Sequence, residues 1–108
     1  MSKKSHKLLI KEIEWNFVLL DTAAYNSKHG KDSHGITKSG ELTVYFSKKW
    51  FSLRLVRHEL LHVYMASCCI NSCNDITSED MEEIAAEVYE FHAEVMQRKS
   101  EEIYERLS

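Results

Sequence analysis

Phe51-Ser-Leu-Arg-Leu-Val-Arg-His58-Glu59-Leu60-Leu61-His62-Val-Tyr-Met-Ala-Ser-Cys-Cys-Ile70 sets an H-E-x-x-H word inside an apolar run. Residues i and i+4 share one face of an α-helix, so the imidazoles of His58 and His62 can reach one ion. Glu59 follows the first histidine by one position, where it meets a metal-bound water rather than the metal. Two histidines and a carboxylate amid Leu53, Leu55, Val56, Leu60, Leu61 and Val63 are costly to bury without partners, and a metal supplies the partner. No Pro or Gly occurs after Gly40, so nothing interrupts the pattern. The spacing predicts a helix from about Trp50 to Ile70. It makes a zinc hydrolase the first expectation, with a structural histidine pair as the plainer alternative.

Working outward, Glu41-Leu-Thr-Val-Tyr-Phe-Ser47 alternates with β-branched and aromatic residues and reads as a strand just before that helix. Its exposed edge is expected to hydrogen-bond an extended peptide by strand addition. Residues 26–40 gather all three glycines among polar residues and read as a loop. Further back, Ile13, Trp15, Phe17 and Leu19 alternate with Glu12, Glu14, Asn16 and Val18, the pattern of a half-buried strand. The basic Ser2–Lys7 segment is expected to be a solvated tail. Beyond the central helix, residues 71–78 are a turn-rich connector, and a last helix is predicted from about Glu79 to Arg106. Strands followed by helices make the chain α+β.

At 108 residues the chain is expected to form a single domain over 1–108. Its net charge of −3 offers no basic footprint for nucleic acid. No apolar run reaches the length of a membrane span, and no export signal opens the chain, so no membrane partner is expected. Cys68, Cys69 and Cys73 are an odd number without the spacing of a zinc knuckle, and they suit free thiols in a reducing cytoplasm.

A catalytic zinc takes three protein ligands and leaves a position for water. In the metzincin pattern the third ligand is a histidine six residues after the second motif histidine. Cys68 stands there and Met65 replaces the pattern's glycine, so that pattern does not apply. The last helix offers acids instead. Glu82, Ala85, Ala86, Tyr89, His92, Ala93 and Met96 fall on one side at helical spacing, beside an apolar stripe of Met81, Ile84, Val88, Phe91 and Val95. Glu82 is best placed to point inward, with Glu83 and His92 as the alternatives. Glu87, Glu90 and Glu94 suit a solvated face.

The word His58-Glu59-Leu60-Leu61-His62, followed some twenty residues later by Glu82-x-x-Ala85-Ala86, resembles the small zincin-like metallopeptidases of the ImmA/IrrE type. It also resembles the compact gluzincin-like domains encoded in phages and bacterial mobile elements. The likeness spans roughly residues 41–96, and the order of a loop with His34-Gly35-Ile36-Thr37, a strand and a metal helix is similar too. Leu61 stands where the ImmA pattern has glycine, and Ala86-Glu87-Val88-Tyr89 replaces its Asn-x-Phe-Ala. The resemblance implies a small zincin-like fold, with Zn2+ held by His58, His62 and Glu82. It further implies Glu59 as general base, and a peptide or protein as substrate.

Tyr89, His34 and His92 are the candidates for a second donor to the oxyanion. Each also has a structural reading, as core filler, loop surface and core histidine respectively. Trp15 and Trp50 are expected to anchor the core, and Arg54 and Arg57 to hold carboxylates near the site or to face solvent. Two other classes compete with an enzyme. One is a catalytically silent zincin-fold module that engages a host protein. The other is a helical interaction protein using Met96, Ile103 and Leu107 as its stripe.

Overall fold

The computed structural model describes residues 3–69 and 78–108; the side chains of residues 68, 69, 78–82, 84, 85, 87 and 91 lie outside that description. Along the chain come β1 (Lys3–Ile10), β2 (Ile13–Leu20), α1 (Thr22–His29), β3 (Gly35–Lys38), β4 (Thr43–Ser47), α2 (Leu53–Cys69) and α3 (Ser78–Leu107). Among the described residues the strands form one sheet in the order β1-β2-β4-β3. β1 and β2 are an antiparallel hairpin, β2 and β4 run parallel, and β3 returns antiparallel on the far side of β4. The architecture is α+β, as expected.

Alternation along the strands separates two cores. Trp15, Phe17 and Leu19 of β2, with Val44 and Phe46 of β4, face Val56, Leu60, Val63 and Tyr64 of α2. The same core takes in Val88, Met96, Ile103 and Leu107 of α3. Each fully buried Leu or Phe there contributes roughly 1.5–3 kcal/mol by leaving water. Val18 and Tyr45 point to the opposite face, where Tyr25 of the short α1 covers them.

Several expectations are corrected by this arrangement. The strand before the metal-word helix is not an edge: β4 is buried along its whole length between β2 and β3. The edge belongs to β3, inside the segment read as a loop. Gly35, Ile36, Thr37 and Lys38 pair with Phe46, Tyr45, Val44 and Thr43, and Ser47 N–H donates to the His34 carbonyl. The basic N-terminal segment is not a solvated tail; from Lys3 onward it is the outer strand of the hairpin, and His6 Nε2 lies 2.8 Å from a carboxylate oxygen of Glu102 on α3.

The central helix begins at Leu53 rather than Trp50. Ser52 caps it, its Oγ accepting from Leu55 N–H and its carbonyl from Val56 N–H. Trp15 is a core anchor, as expected. Trp50 is 44% exposed and instead stacks on His34, ring centroids 4.1 Å apart. The stripe of Met96, Ile103 and Leu107 packs into the chain's own core, so it is not a surface for a partner. Among the described residues, no helix is long and apolar enough to cross a membrane. The 71–77 connector and Cys73 lie outside the described residues, as do the side chains of Cys68 and Cys69.

Candidate metal centre

α2 turns its apolar side to the sheet and leaves His58 and His62 exposed, while Glu59 between them is 5% exposed. The two Nε2 atoms are 3.3 Å apart. Two nitrogens bound to one tetrahedral zinc at 2.0–2.1 Å stand about 3.3 Å from each other, so the pair already has the spacing of a tetrahedral edge. Glu59 Oε2 lies 3.9 Å from His58 Nε2. Donor atoms of all three residues fall within 4.8 Å of one another, the separation at which a single ion can be shared.

Glu59 is fixed by β3. Its Oε1 accepts a 2.9 Å hydrogen bond from the Thr37 hydroxyl, which also approaches the Glu59 backbone carbonyl at 3.3 Å. A buried carboxylate needs such a donor, and this one anchors a single oxygen while the other stays on the His58 side. β3 comes this close because Gly35 has no side chain: a β-carbon there would stand 3.3 Å from Glu59 Cγ and 3.2 Å from Leu55 Cδ1. Gly35, Ile36, Thr37 and Ser39 form one wall of a cleft of about 450 Å3; His58, Glu59, His62 and Ala66 form the other.

Sequence reasoning assembled the α2 half of this site but missed Thr37 and Gly35. The signal was the β-branched pair Ile36-Thr37, which reads as a short strand once Gly30, Gly35 and Gly40 are not taken together as loop markers. Of the acids proposed as third ligand, Glu82 lies within α3 and its side chain is outside the described residues. Glu83 is exposed. His92 packs beside Tyr64, ring centroids 5.2 Å apart, and is not one of the three converging donors. Burial raises the pKa of Tyr64, keeping this neighbour a neutral phenol.

Among candidates for an oxyanion donor, His34 is held in its stack with Trp50, outside the cleft lining. Tyr89 is 69% exposed, which excludes the core-filler reading, and borders a second groove that also touches His58. Arg54 and Arg57 face solvent and, among the described residues, form no ion pair. No family model, curated protein or solved structure matches this chain.

Proposed function

We propose that this chain is a zinc-dependent metallopeptidase of the compact zincin-like kind that hydrolyses peptide bonds. In it His58 and His62 hold the metal, Glu82 completes the ligand set and Glu59 is the general base. One observation carries the reading: two exposed imidazoles at the tetrahedral spacing of 3.3 Å stand beside a buried carboxylate whose orientation another element fixes. Neutral imidazoles with a carboxylate are a donor set suited to zinc. Bound zinc supplies a polarised scissile carbonyl and a water whose pKa falls toward about 7. Glu59 would be the base that accepts a proton from the attacking water and passes it to the amine nitrogen released as the peptide C–N bond breaks. Thr37 holds one Glu59 oxygen, so the proton travels on the other. The outer edge of β3 offers backbone donors and acceptors along the cleft wall, suited to an extended peptide added as a further strand. A reducing cytoplasm suits the three cysteines.

The test is the metal content of protein purified without added metal, beside His62→Ala. Near-stoichiometric zinc in the parent, lost in the variant, is expected. No metal even when zinc is offered would return His58 and His62 to a structural pair.

A further inference from the structure

A second groove, of about 380 Å3, runs between α2 and α3 and meets the metal-site cleft at His58, which lines both. Its floor includes the buried Met96 and Ser100; Ser100 is fully enclosed and its Oγ has no hydrogen-bond partner. Its rim carries Arg54, Arg57 and the exposed Tyr89.

Among the described residues, the charges on this rim have no counterpart. Arg54 and Arg57 stand three residues apart, neighbours on one helix surface, where like charges repel. They also occupy the start of α2, the end whose dipole disfavours cations. Neither meets a carboxylate among the described residues, although acidic residues outnumber basic ones 17 to 14 in the chain. Two guanidiniums without a carboxylate partner among the described residues, beside a largely apolar floor, suit an anion carried on a short aliphatic stem. Guanidinium groups favour planar, bidentate partners, which a carboxylate supplies.

We propose that this groove receives a carboxylate of the peptide held at the neighbouring cleft, with Arg54 and Arg57 binding it. The stem lies over Met96 and Ala93, and the Tyr89 hydroxyl is a further donor. The carboxylate belongs either to an Asp or Glu side chain or to the peptide's own C-terminus. The inference rests on the peptidase reading for its use, while binding itself is measurable apart from turnover.

The experiment is fluorescence anisotropy with labelled peptides that differ only in Glu against Gln, each with a free and an amidated C-terminus. They are offered to the zinc-supplemented full chain, to Arg54→Gln/Arg57→Gln and to Arg57→Lys. Carboxylate-bearing peptides are expected to bind roughly tenfold tighter than neutral ones, the scale of a charged hydrogen-bonded pair. The preference is expected to vanish in the double variant, to survive in part with lysine and to shrink with added salt. A preference that follows Glu assigns the side chain as source, and one lost on amidation assigns the C-terminus. Equal binding of all four peptides, or a preference unchanged in the double variant, overturns the proposal. Circular dichroism checks that these surface substitutions leave the helices intact. Selective binding without cleavage would remove the peptidase reading and keep the groove; cleavage indifferent to charge would keep the peptidase and remove the groove.

Discussion

The backbone of Gly35 rests against the side chain of Glu59, so closely that a β-carbon would come within 3.3 Å of Glu59 Cγ. The proposed general base is thus seated by the absence of a side chain on a neighbouring strand. Gly35→Ala is expected to push β3 and Glu59 apart by a few tenths of an ångström. That strain costs about 1–2 kcal/mol of stability. Zinc content should persist, because His58 and His62 lie on α2, while peptide hydrolysis falls. Parallel metal analysis and turnover of a peptide pool check this.

Thr37→Val removes the hydroxyl that anchors Glu59 Oε1 and keeps the β-branched shape. A buried carboxylate oxygen left without its donor costs about 1–3 kcal/mol. Reduced kcat with unchanged zinc is expected, and Thr37→Ser should restore most of the loss. Equal turnover in the valine variant would remove Thr37 from the site.

Zinc affinity distinguishes the remaining acids. Glu82→Gln is expected to weaken zinc by more than about tenfold, since even groups behind the ligands cost that much. Glu83→Gln should leave affinity unchanged, because the proposed third ligand is its neighbour Glu82. His92→Leu should alter packing on Tyr64 and not the metal. Competition against a chromophoric chelator measures all three.

The β1–β2 turn holds its two residues, Lys11 and Glu12, at φ of 49° and 71°. This is the left-handed region, in which a side chain on each residue is strained. The hairpin twist demands it, since two-residue loops between right-twisted strands favour such turns. Glu12→Gly is therefore expected to raise stability by up to about 1 kcal/mol, the relief exceeding the entropy that glycine adds to the unfolded chain. Urea titration reads this directly.

His29 gives a pH dependence. Burial lowers its pKa below the ordinary 6.5, and Lys28 and Lys38 push the same way against Glu41. The unfolded chain then binds the proton more readily than the folded one, so stability rises with pH through this window. The contribution is complete above about pH 6.5. It declines as pH falls below that value and is lost through the lowered folded pKa. His29→Leu should flatten this segment of the curve relative to the parent, as read by unfolding midpoints at a series of pH values.

The parts legible in the sequence are those built on local periodicity. The α2 word, the alternation of β2 and β4, and the long last helix all repeat at the period of their element. The first half of β1, residues 3–7, was missed because its lysines, serine and histidine are polar on both faces, which is how such edges avoid pairing with other chains. Its hairpin lacks the Asn-Gly or Asp-Gly signal and uses Lys11-Glu12 instead. α1 has one buried residue, Tyr25, and so carries almost no amphipathic stripe. β3 is four residues long and acquires its identity from pairing with β4 and from Gly35 meeting α2, contacts that no local window contains.

The parallel pairing of β2 with β4 places α1 and β3 within a single crossover, and β3 joins the sheet through β4 alone. The imidazole pair needs nothing beyond one turn of α2. On the proposed reading, two of the ligands come from one helix, whereas the Glu59 carboxylate acquires its hydroxyl partner only when β3 is in place beside α2. Metal loading and catalytic competence would then be separate events in the life of the protein, and a fully loaded sample can still contain inert molecules.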